Sequence, residues 1–168
     1  MHYDRLSALD RSFLDLEGSN THMHVAGCFL FEKGPLATPS GGVDIDKIRD
    51  YVASRLHRIP RYRQRIAYIP VENHPVWVDD ESFNIHYHVR HTALPAPGDE
   101  RQLKRLCGRI MSQQLDRGKP LWEMWVVEGI EHDRFALICK THHCMVDGIS
   151  GVDLLAVLLS PAPDKEFE

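Results

Sequence analysis

The feature that most limits the fold of this chain is a pair of strongly hydrophobic strands, over residues 122–127 and 135–140. They are joined around Gly129-Ile130-Glu131-His132-Asp133, a turn-forming segment. The second strand runs into a polar stretch, Thr141-His142-His143-Cys144-Met145-Val146-Asp147-Gly148. A last helix is predicted from Ser150, where Ser150-x-x-Asp153 has the form of a capping box ahead of Val152, Leu154, Leu155, Val157 and Leu158. The polar group therefore sits at a strand end and before a helix, where sheet proteins commonly place reactive side chains.

The preceding chain alternates helical and strand-like segments. Leu6, Leu9, Phe13, Leu14 and Leu16 have helical spacing, and Gly18 is a natural stop. Residues 25–31 read as a buried strand. Gly34-Pro35, Pro39 and Gly41-Gly42 make a loop, and Asp44 or Asp46 can cap a helix carrying Ile45, Ile48, Val52 and Leu56 that Pro60 closes. Strands are expected over 65–69 and 76–78, separated by Pro70 and Pro75, and over 86–91, which alternates with period two. Pro95-Ala96-Pro97-Gly98-Asp99 turns into a second long helix with Leu103, Leu106, Cys107, Ile110 and Leu115 inward and Arg101, Arg105 and Arg109 on another face. The expected class is α+β, an α/β two-layer sandwich with a mixed sheet flanked by helices.

Composition narrows the function classes. The 168 residues suit one domain, or half of something larger, with 43% hydrophobic and 26% charged residues. A net charge of -4 argues against a nucleic-acid partner, whose binders carry a basic excess. The longest clean apolar run, 154–159, is far short of the ~20 residues that span a bilayer. The start, Met1-His2-Tyr3-Asp4-Arg5, lacks a signal-peptide pattern, so a cytoplasmic protein is expected. Cys28, Cys107, Cys139 and Cys144 form no C-x-x-C pair and have largely apolar flanks, which predicts mostly small core residues.

A histidine at the end of the second strand can act as a general base, because its ordinary pKa lies near neutrality. An aspartate four or five residues on can fix the loop or orient an imidazole, and Gly148 allows close approach of backbone or ligand. Two histidines and an aspartate alone fit a polar turn with one satisfied histidine at least as well.

The pattern is more specific than that. His142-His143 with Asp147-Gly148 forms HHxxxDG, which resembles the active-site motif of the coenzyme-A-dependent acyltransferase superfamily, including chloramphenicol acetyltransferase, carnitine acyltransferases and peptide-synthetase condensation domains. Leu6-Ser7-Ala8-Leu9-Asp10-Arg11-Ser12-Phe13-Leu14 with Thr21-His22-Met23-His24-Val25 resembles the start of the bacterial wax ester synthase/diacylglycerol acyltransferase family. Similar likenesses run through Pro60-Arg61-Tyr62-Arg63-Gln64-Arg65, Trp77-Val78-Asp79-Asp80, Tyr87-His88-Val89-Arg90, and Leu115-Asp116-Arg117-Gly118-Lys119-Pro120-Leu121-Trp122-Glu123.

The resemblance implies an O-acyltransferase that moves a fatty acyl group from acyl-CoA to diacylglycerol, a long-chain alcohol, or both. His143 is then the base that takes the acceptor's proton, His142 a shaping neighbour, and Asp147 a loop-holding residue that pairs with an arginine. Gly148 keeps the channel open, and Pro120, Leu121 and Trp122 line substrate or support the structure. Acyl-CoA is a co-substrate; no cofactor and no metal are implied. Residues 1–160 would be the N-terminal lobe of the chloramphenicol-acetyltransferase-like two-lobed fold and 161–168 the start of an interdomain linker. The C-terminal half, covalent or a separate chain, would be a partner. A surface of the inner membrane or a lipid droplet is the expected setting.

Other readings compete. Cys144 beside His143 invites a cysteine nucleophile, although neighbours on an extended chain point apart. His22 and His24, or His86 and His88, share a strand face that could bind metal, without further ligands at matching spacing. Arg55, Arg58, Arg61, Arg63 and Arg65 form a basic run that is a solvated surface or meets lipid or coenzyme A phosphates. A condensation-type enzyme fed by a carrier protein and a non-catalytic half-domain are the alternative functions.

Overall fold

A computed structural model describes residues 3–146. The helix expected from Ser150 and the linker over 161–168 lie outside the described residues. In chain order the elements are β1 (Asp4–Arg5), α1 (Ala8–Leu16), β2 (His24–Glu32), α2 (Ile45–Arg55), β3 (Gln64–Tyr68), β4 (Pro75–Asp79), α3 (Ile85–His88), β5 (Val89–Ala93), α4 (Glu100–Met111), β6 (Trp122–Ile130) and β7 (Arg134–His142).

The helices begin where side chains can satisfy their free N–H groups. Ser7 caps α1 by accepting from Asp10 N–H at 3.1 Å, and Asp44 caps α2 by accepting from Lys47 N–H at 3.0 Å. At α4, Asp99 and Gln102 form a reciprocal capping box.

The two hydrophobic strands expected from the sequence are β6 and β7, paired antiparallel in a four-stranded sheet of order β2-β7-β6-β5. β2 is antiparallel to β7, and β5 is parallel to β6, so this sheet is mixed as expected. A second, antiparallel sheet of order β1-β4-β3 holds the strands expected over 65–69 and 76–78. Its third strand, two residues long, is too short to show any period.

One sheet face is covered by α4, where Leu103 and Ile110 pack with Val127, Ile130, Ala136 and Ile138. The other face meets Leu14 of α1, Ile48 and Val52 of α2, Ile66 of β3 and Trp77 of β4 in a second core cluster with Trp122, Met124 and Val126. Leu115 is buried as expected, but beyond α4 and in this second cluster. Between β5 and α4, a Cβ on Gly98 would run into the Gly129 carbonyl, so the turn at Gly98, at φ 71°, requires glycine.

The strand expected over 86–91 begins only at Val89. Asn84 accepts from His86 N–H at 2.9 Å and caps the single turn α3, which breaks the alternation. His86 and His88 therefore share no strand face: His86 is exposed and His88 fully buried. Of the cysteines, Cys139 and Cys144 are buried and Cys107 is half-buried, whereas Cys28 on the edge strand β2 is exposed.

Candidate active site

The site grows from the end of β7. His142 N–H donates to the Leu121 carbonyl at 3.0 Å, and His143 N–H donates to the Met23 carbonyl at 2.8 Å. Successive residues are thus held by neighbours on opposite sides, at the start of β6 and just ahead of β2. After His142 the chain enters a 3-10 turn over His143–Met145.

The two rings have different surroundings. His142 is fully buried, and its Nδ1 accepts from Cys144 N–H at 3.1 Å. The remaining proton of a neutral ring is therefore on Nε2, which lies 3.3 Å from Glu17 Oε2. The approach is electrostatic rather than a well-aligned hydrogen bond. Burial pushes the His142 imidazole down to about 4, with Glu17 opposing the shift. This histidine is neutral near neutrality.

His143 is half-buried and stacks on Phe13 of α1, centroids 5.1 Å apart at 22°. Among the described residues neither of its ring nitrogens has a hydrogen-bond partner. Cys144, the alternative nucleophile, is buried, and burial pushes its thiol up, away from the thiolate that nucleophilic attack needs.

Glu17, just after α1, is the group the motif does not reveal. Its side chain is 1% exposed. One oxygen receives Gln114 Nε2 at 3.0 Å and Arg117 Nη2 at 3.1 Å, and the other receives Met23 N–H at 3.1 Å. Burial works to raise this carboxyl, but the bonds from Gln114 and Met23, the charge His142 carries when protonated and the bond from Arg117 hold it below its ordinary value. One sequence signal existed: an acidic residue at a helix C-terminus opposes the helix dipole. Arg117 relieves the mismatch by also donating to the Leu14 carbonyl at 2.6 Å.

A cavity of about 670 Å³ lies beside the motif. It is lined by Val25, Gly27 and Phe29 of β2, Thr141 of β7, Arg58, Arg61 and Trp77, and Cys144, Met145 and Val146 reach it directly after His143. Pro120, Leu121 and Trp122 do not line it. Leu121 and Trp122 are core residues, and Trp122 Nε1 donates to the Tyr62 carbonyl at 2.8 Å. Asp147 and Gly148 lie outside the described residues.

His22 and His24 stack 5.4 Å apart, and their Nε2 atoms hydrogen-bond the Ser112 and Met111 carbonyls, so they close the end of α4. Among the described residues no group of three or more His, Cys, Asp or Glu could hold a metal ion. The arginine run is divided among aromatic partners: Arg55 lies over Tyr51, Arg61 over Trp77 and Arg63 over Phe83. Among the described residues no helix is long and apolar enough to cross a membrane.

The sequence and fold are similar to those of known proteins. The model of the wax ester synthase/diacylglycerol acyltransferase catalytic domain matches residues 6–168. A probable diacylglycerol O-acyltransferase of Mycobacterium tuberculosis, tgs3, is 42% identical over 149 residues, 88% of this chain and 53% of its own length. A putative diacylglycerol O-acyltransferase of the same organism is 40% identical over 163 residues, 96% of this chain and 32% of its own length. The chain thus spans about half the length, or less, of these curated relatives. The solved wax ester synthase/diacylglycerol acyltransferase from Marinobacter aquaeolei VT8 superposes with a TM-score of 0.81 at 33% identity, covering 98% of this chain and 39% of that one. A condensation domain of the enacyloxin polyketide synthase, at 20% identity and a TM-score of 0.63 over 92% of this chain and 29% of its own, shares the fold alone.

Proposed function

Since the chain belongs to the wax ester synthase/diacylglycerol acyltransferase catalytic-domain family, we propose that it supplies the base-bearing lobe of an O-acyltransferase. The donor is a long-chain acyl-CoA, and the acceptor is the hydroxyl of diacylglycerol or of a long-chain alcohol. His143 takes the acceptor's hydroxyl proton as the oxygen attacks the thioester carbonyl. The tetrahedral intermediate then expels the coenzyme A thiolate, which receives the proton back from His143. The transfer is direct, and holding both substrates in register supplies much of the acceleration. Acyl-CoA is a co-substrate, and the scheme uses no resident cofactor or metal.

The observation that carries this reading is the contrast between the two rings. His142 is buried and committed to Cys144 and Glu17. The His143 ring is half-buried, without a described partner at its nitrogens, and one residue from the cavity lining. A cavity lined by apolar side chains such as Val25, Phe29 and Met145 together with Arg5 and Arg58 suits a substrate with a fatty chain and an anionic carrier. The C-terminal half, covalent or separate, closes the cavity, and the enzyme works in the cytoplasm at the inner membrane or a lipid droplet, where its acceptors partition.

The test is thiol release from a long-chain acyl-CoA with diacylglycerol or a fatty alcohol, for the wild-type chain and His143→Ala, each alone and with the C-terminal portion of tgs3. Acceptor-dependent release that His143→Ala abolishes is expected. Equal release by both forms, or none in any combination, overturns the proposal.

A further inference from the structure

We infer that Glu17 is a positioning residue that holds both histidines of the motif, acting on His143 through backbone and ring rather than on substrate. This rests on His143 being the base.

Two routes lead from the one carboxylate to His143. In the first, Glu17 Oε2 faces His142 Nε2 at 3.3 Å, which leaves Nδ1 of that ring as an acceptor. Nδ1 takes the Cys144 N–H at 3.1 Å and so fixes the turn that carries His143. In the second, Glu17 Oε2 accepts from Met23 N–H at 3.1 Å, and the Met23 carbonyl accepts from His143 N–H at 2.8 Å. The loop between is closed on itself, with Gly18 N–H bonding the Thr21 carbonyl at 2.9 Å. Removal of the carboxylate therefore takes away the anion that faces the His142 Nε2–H and leaves that ring held from one side only, and it loosens the strand edge that His143 hangs from.

The carboxylate is itself held from a third segment. Arg117 reaches it with Nε at 3.3 Å and Nη2 at 3.1 Å, and Gln114 with Nε2 at 3.0 Å. A buried anion left without such partners would be strongly destabilising. The arrangement explains why an acid stands at the end of α1, against the helix dipole.

The experiment uses the 168-residue chain with its histidine rings labelled with nitrogen-15, comparing wild type, Glu17→Gln and Glu17→Asp. Wild type is expected to show His142 protonated at Nε2 with a hydrogen-bonded Nδ1. Glu17→Gln is expected to move the ring signals of both His142 and His143. In the thiol-release assay it should lower kcat by on the order of 100-fold with little change in KM, as small misplacements of a catalytic group do. Glu17→Asp keeps the anion but withdraws it by one methylene. It should show the same changes in smaller degree, and it decides the matter if Glu17→Gln does not fold. Folded variants with wild-type ring signals, or with unchanged kcat, overturn the inference. If no wild-type form turns over, the acyltransferase reading fails while the ring spectra still decide what Glu17 does.

Discussion

His88 and Trp122 are joined twice. The imidazole lies on the indole with centroids 4.6 Å apart at 18°, and its Nδ1–H donates to the carbonyl of the same Trp122 at 2.8 Å. Both residues are fully buried, and the Phe83 ring stacks on the other side of His88 at 5.0 Å. Two family-like segments therefore meet in one stack, next to Leu121, whose carbonyl holds His142.

Trp122 is accordingly a structural anchor of the site. Trp122→Ala should cost about 3–5 kcal/mol, the range for deleting a buried aromatic side chain. Trp122→Phe keeps most of the ring but removes the donor to the Tyr62 carbonyl, at a cost of about 1–3 kcal/mol. Urea unfolding of the two variants checks both figures. A Trp122→Phe midpoint equal to wild type would show that the indole N–H contributes nothing.

Lys140 gives a second prediction. This lysine is fully buried on the α4 side of β7, and its Nζ donates to the Ile110 carbonyl at 2.9 Å and the Gln113 carbonyl at 2.6 Å. It ties the end of α4 to the sheet, where a cation suits the helix dipole. Lys140→Met matches the length and removes the burial cost of the charge, but strands two carbonyls and leaves Glu123 without its 3.9 Å neighbour. A net loss of about 2 kcal/mol is expected. Amide hydrogen exchange in the last turn of α4 should rise with it, and unchanged exchange would refute the tie.

The sequence made some of this legible and hid the rest for a physical reason. The apolar runs of β6 and β7, the Asp44 cap of α2, and the placing of His142 and His143 at a strand end are local patterns, set by neighbours a few residues away. The strand at 86–91 misled because one Asn84 side chain converts its first half into a turn. Glu17 stayed hidden because Gln114 and Arg117 lie 97 and 100 residues away, and no periodicity encodes such pairings. Lys140 was absorbed into an apolar strand for the same reason: its partners stand on another element.

Cys144 separates general-base from nucleophilic catalysis. Its buried thiol is pushed up by burial, and its N–H, not its sulfur, is what His142 binds. Cys144→Ala should therefore retain acceptor-dependent thiol release within a few-fold, with a stability loss of about 1 kcal/mol for the small cavity. His143→Ala should lose on the order of 100-fold or more, the scale of general-base catalysis. Loss of turnover in a folded Cys144→Ala protein would favour a covalent route instead.

The buried histidines fix how stability depends on pH. His142 is held at about 4 against 6.5 for a free imidazole, chiefly by burial, and His88 and His24 are lowered in the same direction by the same cause. A group whose folded pKa is depressed binds fewer protons in the folded than in the unfolded chain. Its contribution is therefore complete above the unfolded value and is lost as pH falls through the window between the two. For His142 that window runs from about 6.5 down to about 4, and the full shift corresponds to roughly 3 kcal/mol. Glu17, also lowered, begins to add its own loss only near 4.5 and below. Urea midpoints measured at pH 7.5, 6.5, 5.5 and 4.5 should hold level at first and then fall steadily, and His142→Asn should flatten part of the fall. A midpoint constant across the series would mean that the chain admits a charged imidazole beside Glu17, and that His142 is not the neutral, fixed ring on which the arrangement of His143 depends.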